Sequence, residues 1–157
     1  MNAKKVFDHP LYQDALKTIS YYERDRVYCG HDLGHFLDVA RMMYIWNLEE
    51  GLGYSKDIIY TAALIHDIGR AREYESGQDH HLASYEMGKV LLENTDFSQE
   101  DKDLILDAVL KHREKKDQGP FASLLYKADK ESRRGMVCPA RATCYWPDEK
   151  KNLELKI

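Results

Sequence analysis

Adjacent imidazole and carboxylate groups end an apolar segment in "YTAALIHDIGRAREY", residues 60–74. His66 and Asp67 stand where core residues would otherwise continue. An ionised carboxylate that is buried without a partner is strongly destabilising, whereas a divalent cation neutralises it and also binds neutral imidazole. The pair therefore indicates a metal site in the interior of the protein.

Four more potential ligands lie on apolar faces at helical spacing: His35, His80, His112 and Asp129. Any one of them alone is more often a hydrogen-bonded core residue or a helix cap than a metal ligand. Together they bring several polar groups toward the interior, where two aspartates repel each other unless a cation lies between them. Two aspartates and two histidines around one dication have zero formal charge, which favours the metal interpretation.

The ligand types restrict the metal. Imidazole and carboxylate groups without thiolate suit Fe, Mn, Ni, Co or Zn better than Mg or Ca. The ligand pattern does not choose among these five metals. The expected cofactor is a divalent transition metal, bound as one ion or two.

Apolar residues at helical spacing occur along most of the chain, and no convincing alternation of apolar and polar residues predicts strands. Ser55 and Ser98 suit helix N-caps, and the glycines of "EEGLG" and "DIG" are typical of helix ends. The sequence predicts an all-α bundle of about six main helices, at about 10–27, 31–50, 55–69, 80–94, 98–114 and 120–135.

The composition shows no feature that requires nucleic acid or a membrane. The 157 residues suit one domain, with a motif-bearing core at about 30–135 and a C-terminal extension at 136–157. The formal net charge is −4, the apolar runs are too short for a membrane span, and no secretion signal is evident. A cytoplasmic protein is therefore expected. The odd number of cysteines, without CxxC spacing, predicts free thiols at Cys29, Cys138 and Cys144.

Three motifs in order resemble the signature of the HD-domain superfamily of metal-dependent phosphohydrolases. They are "HFLDVAR" at 35–41, "AALIHDIGR" at 62–70 and "LLYKADKESR" at 124–133. The resemblance implies an all-helical fold in which a first metal is held by His35, His66, Asp67 and Asp129.

Two further segments resemble the extra-histidine helices of binuclear members of this superfamily. These are "HHLASYEMG" and "AVLKHRE", which contain His80 and His112. The resemblance implies that Asp67 bridges two metals. His81 is an alternative to His80, and the main rival is a site with one metal in which His80 and His112 bind phosphate.

The resemblance implies hydrolysis of a phosphate ester or anhydride by metal-activated water. The substrate would be a nucleotide or a similar small phosphorylated metabolite, with Asp67 and Arg70 as catalytic residues. Arg70 follows "HDIG" where related proteins often carry lysine, which suggests phosphate contact. Further candidates for substrate binding are His31, His81, Lys130 and Arg133.

Other roles for the same residues stay open. His31, one helical turn before His35, could support a ligand, reach the substrate or have no chemical role. Two alternative functions are a di-iron oxygenase of the HD type and a non-catalytic nucleotide-binding sensor. The oligomeric state also stays open.

Overall fold

A computed structural model describes residues 1–113 and 119–155 of the chain. Within these ranges it contains α-helices and short 3-10 helices but no strand, which confirms the all-α prediction. The α-helices are α1 (Asn2–Asp8), α2 (Pro10–Glu23), α3 (Leu33–Glu49), α4 (Lys56–Ile65), α5 (Arg70–Ser76), α6 (His80–Glu93), α7 (Gln99–Lys111) and α8 (Pro120–Glu131).

Two short helices were not predicted, and several helices end earlier than predicted. The segment predicted at 55–69 ends as a helix at Ile65, and α5 begins after a four-residue turn. The segment predicted at 98–114 begins at Gln99, and residue 114 lies outside the described residues. Helix α1 depends on a distant group, because the backbone amides of Asn2 and Ala3 both donate to the carboxylate of Asp57 at 2.8 Å. Local sequence cannot reveal such a cap.

The predicted N-caps are confirmed. The Ser55 hydroxyl accepts a hydrogen bond from the Ile58 amide at 3.2 Å, and the Ser98 hydroxyl accepts one from the Asp101 amide at 3.1 Å. Asp32 caps α3 in the same way through the amide of His35, at 2.8 Å. This last cap fixes the first turn of the helix that carries His35.

Helix α4 lies at the centre of the bundle. Seven of its ten residues are buried, and it packs against α1, α3, α6 and α7. The buried hydroxyl of Tyr12 donates to the carbonyl of Leu64 at 3.0 Å. The C-terminal end of α4, where His66 follows, is therefore held by neighbours on several sides. None of the helices in the described ranges is long and apolar enough to cross a membrane.

Gly69 does not act as the helix-ending residue that "DIG" suggested. Its φ of −65° is helical, and it immediately precedes α5. A Cβ at this position would lie 2.3 Å from both the carbonyl oxygen of His80 and the amide nitrogen of Ser84. The backbone amide of Gly69 also donates a hydrogen bond to the hydroxyl of Ser84 at 2.9 Å. Glycine is required here by the close approach of α6. By contrast, Gly51 of "EEGLG" has a φ of +63° just after α3, as expected at a helix end.

The C-terminal segment is fastened to the end of α8. The side-chain amide of Asn152 donates to the carbonyls of Lys130 and Arg133 at 2.8 and 3.0 Å. A Cβ on Gly135 would lie 1.3 Å from the carbonyl oxygen of Lys151, so only glycine permits this contact. The segment forms three short 3-10 helices, at Gly135–Val137, Arg141–Thr143 and Asp148–Lys150.

The substitution Gly69→Ala should destabilise the protein by about 3 kcal/mol, because the added methyl group forces α5 and α6 apart. Urea unfolding measures this loss. The matched variant Gly51→Ala has no atom within 4 Å of the added methyl group and should lose only about 1 kcal/mol from its left-handed backbone. Equal losses for the two variants would contradict the close packing of α5 against α6.

Candidate metal centre

Six buried histidine and aspartate side chains from different elements converge at one end of α4. His35 comes from the first turn of α3, and Asp129 from the last turn of α8. His66 directly follows α4, and Asp67 lies in the turn before α5, so the pair does not continue the helix as predicted. The other two are His80, at the start of α6, and His112, just after α7.

These side chains form two groups that could each hold a metal ion. The first group contains His35, His66, Asp67 and Asp129. Each of these residues offers one ligand atom, and the four atoms lie within 4.8 Å of one another. In this group Nε2 of His35 is 3.2 Å from Oδ1 of Asp129, and Nε2 of His66 is 3.4 Å from Oδ2 of Asp67. The second group contains Asp67, His80 and His112.

Asp67 belongs to both groups and offers a different oxygen to each. Its Oδ2 faces His66, whereas its Oδ1 lies 3.3 Å from Nε2 of His80 and 3.4 Å from Nε2 of His112. A carboxylate in this position can bridge two cations.

Several inward-facing atoms of these groups have no hydrogen-bond partner in the described part of the chain. They are Nε2 of His35, Nε2 of His66 and Oδ1 of Asp67, and all three are buried. A buried polar atom without a partner is destabilising by about 1–3 kcal/mol, and a cation bound among these three would satisfy all of them. The residues therefore fit a divalent cation.

The outer nitrogens of the histidines are fixed by acceptors. Nδ1 of His66 lies 2.7 Å from the carbonyl of Ala63, and Nδ1 of His112 lies 2.6 Å from that of Val109. Nδ1 of His80 lies 3.1 Å from Oε1 of Glu73. Donation from Nδ1 leaves a lone pair on Nε2 directed at the cluster, which is the usual arrangement of metal-binding imidazole.

The electrostatic environment favours ionised aspartates and keeps His35 and His80 neutral, whereas the facing aspartates raise the pKa of His66. Burial lowers the pKa of both His35 and His80 to about 4. Burial alone would raise the pKa of Asp67, but the facing imidazoles, His66 first among them, hold that pKa well below its usual value. Burial likewise acts to raise the pKa of Asp129, but the neighbouring imidazoles of His35 and His66 hold that pKa well below its usual value. Neutral nitrogen and anionic oxygen are the donor types that a transition-metal dication requires.

A cavity of about 250 Å³ opens over the second group. Its floor includes Asp67, His80, His112 and Asp129, and its wall carries five basic side chains, Arg26, Arg70, Arg113, Lys130 and Arg133. The remaining lining residues are His31, Tyr28, Cys29, Cys144, Tyr145 and Trp146. The excess of basic groups makes the cavity suitable for an anion.

Four of the residues predicted to bind substrate line this cavity: His31, Arg70, Lys130 and Arg133. Nε of Arg70 lies 3.8 Å from Oδ1 of Asp67, while its Nη1 donates to Glu73 at 2.9 Å. Lys130 donates to Oδ2 of Asp129 at 2.7 Å. Arg133 donates to a backbone carbonyl, that of Gly30, at 2.5 Å.

Of the five residues predicted to bind substrate, His81 is the one that the structure does not bring to the cavity. His80, its neighbour, supplies the nitrogen beside Asp67, and His81 is absent from both the cavity lining and the two ligand groups. The two rings are perpendicular neighbours with centroids 6.0 Å apart. Because His80 faces inward at the start of α6, the next residue faces another direction. This geometry gives no support to a substrate-binding role for His81.

Several residues around the site were missed by sequence reasoning. Glu73, on α5, fixes His80, and Glu23, at the end of α2, contacts His31. The C-terminal segment contributes Cys144, Tyr145 and Trp146 to the cavity wall. The contacts Glu73–His80 and Glu23–His31 join residues only seven and eight positions apart, whereas the contribution of the C-terminal segment depends on how it packs against the helices. All three cysteines are free thiols, as expected.

Comparisons with known proteins agree with this architecture. The profile of the HD domain matches residues 32–138. A protein of Clostridium beijerinckii described as uncharacterized is 46% identical over 140 residues, which cover 89% of this chain and 88% of that protein. The crystal structure of a predicted HD superfamily hydrolase from an uncultured Thermotogales bacterium shares the fold, with a TM-score of 0.67 and 22% identity over 94% of this chain and 82% of the other. The profile match spans well over half of the sequence and contains all six converging histidines and aspartates, and the chain therefore belongs to the HD-domain family.

Proposed function

We propose that the protein is a metal-dependent phosphohydrolase that acts on a small phosphorylated metabolite such as a nucleotide. One observation carries the proposal: Asp67 is shared by two ligand groups directly beneath a cavity with a basic wall. Metal ligands at the floor and cations at the wall are what attack on a phosphoryl group requires. Membership of the HD-domain family supports the same reaction class.

The residues divide into two proposed ion sites. His35, His66, Asp67 and Asp129 would hold the first ion, and Asp67 with His80 and His112 would hold the second. The ion would be Fe, Mn, Ni, Co or Zn. When bound, such an ion acidifies water toward neutral pH and polarises a phosphoryl oxygen.

Arg70 is the best-placed group for contact with the phosphoryl oxygens. Its Nε is buried and has no hydrogen-bond partner in the described ranges, although its Nη1 is held by Glu73. A guanidinium fixed at one nitrogen and unsatisfied at another is ready to donate to an anion. Lys130 and Arg133 line the same cavity beside Asp129 and would complete the anion site.

A second cavity of about 600 Å³ adjoins the first and gives room for the rest of the substrate. The two share Tyr28, Cys29, Arg133, Cys144 and Trp146 as lining residues. The smaller cavity is slightly below the usual range for ligand pockets, and the larger lies well within it. A phosphoryl group in the small cavity with its organic part in the large one would fit this arrangement.

The metal assignment predicts how many ions each variant retains. Wild-type protein should contain two ions per chain, His80→Gln one, and Asp67→Asn fewer than one, because only Asp67 serves both groups. Metal analysis of protein purified without chelator measures this. His81→Gln is the matched control and should retain two ions. If His81→Gln loses an ion and His80→Gln does not, His81 and not His80 is the ligand. If the wild type contains one ion and His80→Gln retains it, the site with one metal is favoured.

The substrate assignment predicts turnover of at least one phosphorylated compound by Mn- or Fe-loaded protein. Arg70→Gln should lower kcat/KM for that compound about 100-fold, the usual loss when one donor to the transition state is removed, with metal content unchanged. Arg72→Gln is the control, because Arg72 pairs with Glu86 at the surface. No turnover of any compound by metal-loaded protein would contradict the proposal, and iron-dependent oxygen consumption would favour the oxygenase alternative.

A further inference from the structure

A buried glutamate outside both ligand groups holds a histidine at the edge of the cavity. The side chains of Glu23 and His31 are only 9% and 5% exposed. Oε2 of Glu23 accepts the backbone amide of His31 at 2.7 Å, and Oε1 lies 2.6 Å from Nδ1 of the same residue. One carboxylate thus fixes both the backbone and the ring of His31.

The carboxylate of Glu23 is further stabilised by Tyr74 of α5, whose hydroxyl donates to Oε1 at 2.5 Å. Burial by itself would raise the pKa of Glu23, but the hydrogen bonds from His31 and Tyr74 lower it to about 2. Both oxygens of Glu23 already accept a hydrogen bond, one from the His31 backbone amide and one from the Tyr74 hydroxyl, so the carboxylate is ionised and can only accept. Nδ1 of His31 must then carry a hydrogen, so the neutral ring has its lone pair on Nε2.

The loop that contains His31 is fastened at three successive residues. Nε of Arg26 donates to the carbonyl of Cys29 at 2.8 Å, and Arg133 donates to that of Gly30 at 2.5 Å. The third contact is the one from the His31 amide to Glu23. A residue that served only to fill space would not need its loop and ring orientation fixed in this way.

Nε2 of His31 faces Asp67, the residue shared by the two ligand groups. His31 lines the cavity, and its Nε2 lies 3.7 Å from Oδ2 of Asp67, the oxygen that also faces His66. Neither atom can donate to the other when the imidazole is neutral. A water molecule in the cavity could donate one hydrogen to Nε2.

We infer that His31 is a catalytic residue that orients the attacking water by accepting a hydrogen bond at Nε2, and that Glu23 is the positioning residue that fixes this tautomer. The inference rests on the proposed phosphohydrolase function. It assigns His31 a contact with the nucleophile in place of the substrate contact expected from the sequence. No proton transfer is required of His31, since the hydrogen bond only aligns the water for attack.

Glu23→Gln tests the inference because it should invert the tautomer. The amide of His31 can only donate, so the carbonyl oxygen of the new glutamine must take the position of Oε2. Its NH₂ group then faces Nδ1, which must accept, and the ring hydrogen moves to Nε2. Nitrogen-15 NMR of His31 in zinc-loaded protein, which is diamagnetic, should show protonated Nδ1 in wild type and protonated Nε2 in the variant.

The kinetic effect should appear in kcat alone. Glu23→Gln should lower kcat about 100-fold, as expected when a reacting group is misaligned, with KM and metal content unchanged. Glu49→Gln makes the same chemical change at the exposed end of α3 and should alter neither kcat nor the His31 spectrum. His31→Ala should lower kcat by a similar factor, and adding Glu23→Gln to it should cause no further loss, because both act through one hydrogen bond.

Three results would overturn the inference: an unchanged tautomer in Glu23→Gln, a loss of kcat that parallels a loss of metal, or additive losses in the double variant. If Glu23→Gln does not fold, His31→Ala with normal kcat would also overturn it. Absence of turnover in metal-loaded wild type would instead defeat the proposed function and the catalytic role of His31 together. The NMR comparison would still decide whether Glu23 sets the tautomer.

Discussion

The carboxylate of Asp67 is the group on which the rest of the structure depends. It is buried, it faces imidazoles on both of its oxygens, and one of those oxygens has no hydrogen-bond partner in the described ranges. Such a charge is stable in a protein interior only beside a cation. A dication bound at this point would therefore hold together the ends of the helices that meet there. Stability and chemistry follow from the same electrostatic requirement.

The converging histidines and aspartates could be predicted from the sequence because their signal is local. His35 and Asp129 lie at helical spacing from apolar residues, and the periodicity identified their inward direction without knowledge of the fold. The adjacency of His66 and Asp67 was visible in the same way. The helix boundaries near this pair were wrong, because a turn rather than a longer helix brings Asp67 between its neighbours.

The supporting groups could not be predicted, since their partners are distant in sequence. Tyr74 reaches Glu23 across 51 residues, and Arg133 reaches Gly30 across 103. Gly69 was read as a helix end, but the backbone of α6 passes too close for any side chain there. The sequence specifies these contacts only through the packing of whole helices, and periodicity carries no information about which helix ends meet. The prediction therefore located the converging histidines and aspartates better than the residues that orient them.

The fastening of the C-terminal segment has a consequence for how this architecture could diversify. Asn152 and Gly135 attach the segment to the end of α8, and the stretch between them supplies Cys144, Tyr145 and Trp146 to the cavity. None of the six converging histidines and aspartates lies in this stretch. Replacing this stretch by another sequence would thus change the shape of the cavity and leave the six converging side chains in place.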